Sequence, residues 1–474
     1  MRTSEPEVRN RGWDFFTLVV YNSHMSTPSL FPDLEGDAEP TERPPVDLGP
    51  QPPPRLRRPD RRQMLMRPCA LDELLADDHD ARLIWNLVET WNLSRFQAAI
   101  RARGERPGRP ATDPELLIAL WLYASSQGVA GGRELARLCL ESEPYRWLCG
   151  TIPVNYHMLN DFRVEHEAEL KDLLTQMLAV LIHGDLVTVS RIAQDGTRVR
   201  AGAGAKSFKK LDTIERALQQ ARAQLEIIER QARRAEDATE RRRGAEEKAA
   251  QRKVDRMTRT LAELAKVEAA KAEQKNKPTK TNAPRASLTD PESRLMRMPD
   301  GGTRPAYNVQ LAVDTASRAI VGVEVTNAGS DAGLAEPMRD QIEEQTGETV
   351  KEHLVDGGYV KLDDLDRAAS SEPAVTVYMP VPKPRKKGVD RHQPKKTDSV
   401  AVAAWRQRMA TPEAKEIYKQ RAATIETVNG ELKTERGLKP FRVRGVSKVR
   451  CVALWCALAY NIMHFGWQMM NLVG

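Results

Sequence analysis

Cysteine is scarce in this chain. The five cysteines among 474 residues (Cys69, Cys139, Cys149, Cys451 and Cys456) are odd in number and lack paired metal-ligand spacing, which argues against a disulfide framework or a cysteine-based metal site. Cys139, Cys149 and Cys456 lie in apolar stretches and read as reduced core thiols of a cytoplasmic protein. A secretory leader is missing too, because the apolar run Phe15–Tyr21 is short and flanked by charge, so secretion is not expected. The one run long enough to span a bilayer, 452–473, is interrupted by Asn461, His464, Gln468 and Asn471. Polar groups in lipid are costly, so this run is expected to be a helix buried in the protein or facing a partner, with no membrane attachment. Neither sign of charge dominates. Lys plus Arg number 73 against 66 for Asp plus Glu, a net charge of +7, a moderate excess that suits a polyanionic partner without requiring one.

What is present divides the chain into segments. Residues 1–62 hold clustered Pro and charge without a sustained period and read as a disordered arm; the internal Met25 offers a second candidate start of translation. Residues 63–184 are helical in pattern, with a Thr112-Asp113-Pro114 start signal and further helices over 133–139, 157–163 and 167–182. Short helices joined by glycine-containing turns are compatible with a DNA-binding module containing a helix-turn-helix, or with an all-helical structural domain. Strand-like patterning follows at 187–193, 306–313, 320–325, 350–355 and 374–379, which predicts a mixed α/β sheet over 185–205 and 286–474. Between its first two strands lies the insertion 206–285. There Leu211, Ile214, Leu218, Ala221, Leu225, Ile228, Ala232 and Ala235 keep a heptad seam, and Val254, Met257, Leu261 and Leu264 a second one. Two such helices are expected to fold back as an antiparallel coiled coil.

Three carboxylates have the placement that metal-assisted phosphoryl transfer needs. Asp195 and Asp356 each follow an apolar strand and precede Gly, which would put an acid at a strand's carboxyl end with its oxygens accessible. Glu426 lies on a helical run, 416–433, whose apolar stripe is edged by Arg421, Glu426 and Lys433. Hard oxygen donors select Mg²⁺ or Mn²⁺, and a pair of ions would serve both the attacking and the leaving oxygen. Each feature has a bland counterpart: Asp-Gly after a strand is a common turn, and Glu on a charged helix normally faces water. Glu431, five residues on, is an alternative third acid. Asp314 and Asp331 read as turn acids, and His353 as a core-facing strand residue. The basic loop from Lys383 through Lys386 and Lys387 to Lys396 is either a solvated loop or a phosphate contact.

The run Tyr418-x-x-Arg421-x-x-x-x-Glu426-x-x-x-x-x-x-Lys433 resembles the Tyr, Arg, Glu, Lys signature around the third acid of bacterial insertion-sequence DDE transposases. Gln194-Asp195-Gly196-Thr197 resembles their first-acid strand and Val355-Asp356-Gly357-Gly358-Tyr359 their second. The spacing from Arg421 to Glu426 is one residue longer than in the most familiar form, as in the branch with an InsH-like N-terminal domain. Pro110–Leu117, Arg146-Trp147-Leu148 and Asp161-Phe162-Arg163 resemble that domain. Leu288–Met296, Tyr307-Asn308-Val309-Gln310 and Arg442–Asn461 resemble the stretches after the insertion.

The resemblance implies an RNase H-like core, with Asp195, Asp356 and Glu426 as catalytic metal ligands. Tyr418, Arg421 and Lys433, with Lys386 and Lys387 of the basic loop, are then expected to contact DNA. The implied substrate is double-stranded DNA, both terminal inverted repeats and target, cut and joined by a homodimer or higher synaptic assembly. A nuclease that cuts without joining, a DNA-binding protein or decayed transposase without catalysis, and a coiled-coil scaffold are the competing readings.

Overall fold

The computed structural model describes residues 69–104, 110–234, 240–272, 283–359, 361–384 and 388–473. The expected arm 1–62, Met25, Lys386 and Lys387 lie outside the described residues. Residues 68–474 form one compact unit.

Eight strands are present among the described residues: β1 (Arg191–Arg200), β2 (Phe208–Lys209), β3 (Ala286–Ser287), β4 (Arg294–Arg297), β5 (Thr303–Asp314), β6 (Ile320–Thr326), β7 (Glu352–Leu354) and β8 (Thr376–Tyr378). The main sheet runs β4-β5-β1-β7-β8, and β6 pairs with the part of β5 that β4 leaves free. β5 is antiparallel to β1, β4 and β6, whereas β7 lies parallel to both β1 and β8. The sheet is therefore mixed, as the sequence pattern predicts. From Pro305 to Asp314 every residue of β5 is buried, the mark of a strand covered on both faces rather than one with a wet side. The β5–β6 hairpin closes where expected: Asp314 Oδ2 accepts hydrogen bonds from the Ser317 amide (2.8 Å) and hydroxyl (2.6 Å).

One expectation fails at the start of the sheet. The strand predicted from Val187 begins only at Arg191, because Asp185 and Val189 take positive φ angles of 55° and 51°, which an extended strand cannot accommodate.

The helix Val446–Val473 is the hub of the fold. By length and composition it could cross a membrane, yet Cys451 to Ile462 are buried without a break, as expected of a helix apolar all round within a core. It packs between β6 and the N-terminal helices Asp80–Glu89, Pro114–Ser126, Tyr156–Glu165 and Glu167–His183, so these helices and the sheet share one hydrophobic core. Its buried Asn461 is satisfied by the backbone of β6: Oδ1 accepts from Ile320 N and Nδ2 donates to Ile320 O, both at 2.9 Å. Helix Pro114–Ser126 starts as read from sequence, with Asp113 accepting from Glu115 N at 3.0 Å and Pro114 in its first turn. Its C-terminal end touches the segment following Glu426, where Arg436 donates to Ser126 O at 2.7 Å.

The insertion contains two helices, Leu211–Arg234 and Glu240–Ala272. Ile214 packs with Leu264, Leu218 and Ala221 pack with Met257, and Lys253 Nζ donates to Gln224 Oε1 at 2.9 Å. Contacts that advance along one helix recede along the other, so the pair is antiparallel.

Candidate active site

The parallel pairing of β1 with β7 stops at Ala193↔Leu354. Two residues further on in each chain stand Asp195 and Asp356. Side chains repeat every two residues along extended backbone, so this register sets the two acids abreast where the sheet opens. Asp356 follows the end of β7, as its sequence context predicts. Asp195 does not mark a strand end: β1 continues to Arg200 and pairs Asp195 with Leu311 of β5. What exposes Asp195 is the early end of its neighbour β7.

The residues that alternate with Asp195 build a buried network on the other face of β1. Gln194 Nε2 donates to Gln310 Oε1 (2.9 Å) and to Leu334 O (3.1 Å), and the Tyr359 hydroxyl also donates to Gln310 Oε1. Gln310 Nε2 and Asn308 Nδ2 donate to Asp331 Oδ1 at 2.7 and 2.6 Å. Gly196 leaves the room for this: a Cβ there would collide with Gln310 Nε2 and Asp331 Oδ1. The motifs around Asp195, Asp356 and Gln310, scattered in sequence, are thereby tied to one another.

Facing Asp195 is a long helix in three parts. Thr411 caps it through Ala414 N at 3.2 Å. An α-helix runs over Pro412–Arg421, a π-helical turn over Ala422–Glu426, and a second α-helix over Thr427–Thr434. At the wider turn the Thr424 hydroxyl bonds the carbonyls of Gln420 (2.8 Å) and Arg421 (3.2 Å), so backbone acceptors loosened by the turn keep a partner. In an unbroken α-helix, residues five apart would diverge by about 140°. The extra residue in the π turn brings Glu426 back toward Arg421, and Arg421 Nη1 lies 3.5 Å from Glu426 Oε1. The longer spacing noted in the sequence is absorbed here.

Arg421 is buried, and its Nη2 donates to Asp195 Oδ1 at 2.9 Å. Asn429 Nδ2 approaches Asp195 Oδ2 at 3.4 Å, while the buried Asn429 Oδ1 and Arg421 Nε have no hydrogen-bond partner among the described residues. Burial raises the pKa of Asp195; Arg421 opposes the rise, and Asp356 and Asp331 add to it. Burial also raises Tyr418, which senses Arg421, Asp356, Asp195 and Glu426. It lowers Lys433, against the pull of Asp195, although Lys433 is exposed to solvent.

Asp195, Asp356, Tyr418, Arg421, Glu426 and Lys433 thus belong to one neighbourhood. Glu431 does not: it is bonded to Arg436 (2.7 and 2.9 Å) and to His464 (3.0 Å). His353 is buried in the core, as the sequence suggests. Asp331 departs from its expected role as a turn acid, because its carboxylate serves the network beside Gly196.

As they stand, no three His, Cys, Asp or Glu side chains among the described residues converge closely enough to hold a metal ion. Glu426, with its side chain 61% exposed, pairs with Arg421 rather than with the aspartates. The donor chemistry nonetheless fits a hard divalent cation: two carboxylates abreast, a third acid behind them, and repulsion that burial sharpens.

Two families match the chain. One, a transposase DDE domain, matches residues 384–465; the other, a transposase domain (DUF772), matches residues 70–165. The chain carries the domains of an insertion-sequence DDE transposase. Searches of curated proteins and of solved structures gave no match. Within this transposase, Tyr418, Arg421, Glu426 and Lys433 fall inside the DDE-domain match, whereas Asp195 and Asp356 lie outside both matches. Sequence reasoning missed Asn429, although it follows Glu426 by three residues and precedes Lys433 by four, the spacing of one helix face. It also missed the placement of Asp331, for which no local pattern gave a signal.

Proposed function

We propose that this transposase binds the terminal inverted repeats of its own element as double-stranded DNA and catalyses metal-dependent cleavage and strand transfer. The observation that carries the reading is the placement of Asp195 and Asp356 abreast at the β1–β7 opening, faced by the helix of Arg421 and Glu426. An antiparallel block, in which β5 pairs with β1, β4 and β6, continued beyond β1 by the parallel strands β7 and β8, supports an RNase H-like core over 185–205 and 286–474. The helical region 63–184 is the DNA-binding domain of InsH-like type, and 206–285 is a coiled-coil insertion.

Asp195, Asp356 and Glu426 would hold Mg²⁺ or Mn²⁺, with two ions as the expected number. When bound, the ions supply the Lewis acidity that phosphodiester chemistry needs. The chain's own cations position the DNA. Arg421 exchanges its carboxylate partners for a phosphate of the element end, which frees Glu426 to turn toward the aspartates, and Lys433 and Tyr418 hold the same strand. Lys386 and Lys387 extend the phosphate contact. Water attacks the phosphorus at the element end and the 3′ oxygen leaves as a hydroxyl; that hydroxyl then attacks a target phosphorus, forming a new P–O bond as the target's P–O3′ bond breaks and its 3′ oxygen leaves with the proton. Both steps depend on in-line placement more than on covalent catalysis. Two ends must be joined, so a homodimer or higher synaptic assembly acts, in the cytoplasm and without a membrane.

The test is cleavage and joining of labelled DNA carrying the element's ends, with Mg²⁺ or Mn²⁺, by the native protein and by Asp195→Asn, Asp356→Asn and Glu426→Gln. All three variants are expected to bind ends and to lose both reactions. A folded native protein that binds ends without cutting them would be a DNA-binding or decayed transposase. Cutting without joining would mark a nuclease.

A further inference from the structure

Two acids follow strands of the β5–β6 hairpin region, and the structure uses them differently. Asp314 spends its carboxylate on its own turn, through Ser317. The turn at Asp331 is closed by its backbone carbonyl, which accepts from Leu334 N at 3.1 Å, so its carboxylate is free of the turn and lies in the strand network instead. Oδ1 takes two side-chain amides, from Asn308 and Gln310. Among the described residues Oδ2 is paired with Arg198 Nη2 alone, at 3.9 Å, and it faces the loop of the second aspartate: a Cβ built on Gly358 would be 3.7 Å from Asp331 Oδ2 and 2.9 Å from Asp356 Oδ1. The side chain is 14% exposed. A carboxylate taken this far out of water, with neutral donors on one oxygen and a cation only at the edge of ion-pairing range on the other, is a costly way to hold a turn.

We infer that Asp331 is a positioning residue of the active site, which anchors the strand-borne aspartates through Gln310 and Gly358 and whose charge strengthens their grip on a divalent cation. The inference rests on the metal-dependent reading above. Gln310 links Asp331 to Gln194 beside the first acid and to Tyr359 beside the second, so one side chain fixes both backbones. The absence of side chains at Gly196 and Gly358 is what lets the third carboxylate approach. A second observation points to a ligand at Asp195, the acid this network supports from the opposite face of β1: Asn429, 6% exposed, aims its amide at Asp195 while its Oδ1 has no partner among the described residues.

The experiment titrates Mn²⁺ alone into the full-length chain by electron paramagnetic resonance, for the native protein and for Asp331→Asn, Asp331→Glu, Asp195→Asn and Asp356→Asn. Asparagine at 331 still accepts from Asn308 and Gln310, so melting without metal should stay near the native value. Mn²⁺ affinity should fall about tenfold, the lower end of what supporting partners of metal ligands contribute. The Mn²⁺ concentration for half-maximal cleavage should rise in parallel, with activity recovered at excess Mn²⁺, and Asp331→Glu should restore most of the affinity. Native Mn²⁺ affinity in Asp331→Asn, alongside weakened binding in Asp195→Asn and Asp356→Asn, overturns the inference and leaves the site intact. Unweakened binding in all of the variants overturns the metal-site reading and this inference with it.

Discussion

Glu426 and Glu431 lie on one helix, five residues apart, and the structure separates their consequences on substitution. Glu426→Gln removes a 3.5 Å contact between Arg421 and a side chain that is 61% exposed. Such a screened pair contributes at most about 1 kcal/mol, so unfolding stability should barely change while cleavage and joining are lost. Glu431→Gln acts in the opposite way. Its carboxylate, 16% exposed, takes two hydrogen bonds from Arg436, and both its oxygens lie close to His464 Nε2, at 3.2 and 3.0 Å. Weakening two charge-assisted bonds and leaving a mostly buried guanidinium with only the exposed Glu435, 3.7 Å away, as counter-charge should cost about 2 kcal/mol. The folded fraction of Glu431→Gln should still cleave. Urea unfolding gives the stabilities, and single-turnover cleavage of labelled ends at low temperature, normalised to the folded fraction, gives the activities. Cleavage by Glu426→Gln, or a folded Glu431→Gln that is inert, would refute the assignment of the third acid and with it the role given to the π turn.

Burial and the charge of Arg339 hold the His353 pKa well below its ordinary value of 6.5. A depressed pKa means the unfolded chain takes up the proton first, so stability is intact above pH 6.5 and falls as pH drops below it, by about 1.4 kcal/mol per unit. Urea unfolding of native protein and His353→Leu at pH 7.5 and pH 5 should show the native form losing more stability; equal losses would count against a neutral buried imidazole. Asn461→Leu should lower unfolding stability by about 3 kcal/mol, because the Ile320 N–H and C=O lose their partners in the core. A loss under about 1 kcal/mol in the same assay would show that the strand end finds other partners.

Much of this protein is written in local pattern. The capped helix after Asp113, the β5–β6 hairpin, the seams of the two inserted helices and the apolar C-terminal helix are each set by residues within one or two turns, where side-chain period and backbone preference act directly. The order of Asp195, Asp356 and the Tyr418–Lys433 run was legible through its resemblance to transposase motifs, since an Asp-Gly turn or a helix-borne Glu is by itself commonplace. Tertiary structure decided what those residues do together. The exposure of Asp195 depends on where β7 stops, some 160 residues away in the chain, and the azimuth of Glu426 depends on a π turn that no periodicity announces. Asp331 looked like a turn acid because its sequence neighbours describe only its turn, while its carboxylate answers to Asn308, Gln310 and the two missing side chains at Gly196 and Gly358. Local sequence fixes which face a side chain takes. Which charges meet across that face is settled only when distant strands pack and water is excluded between them.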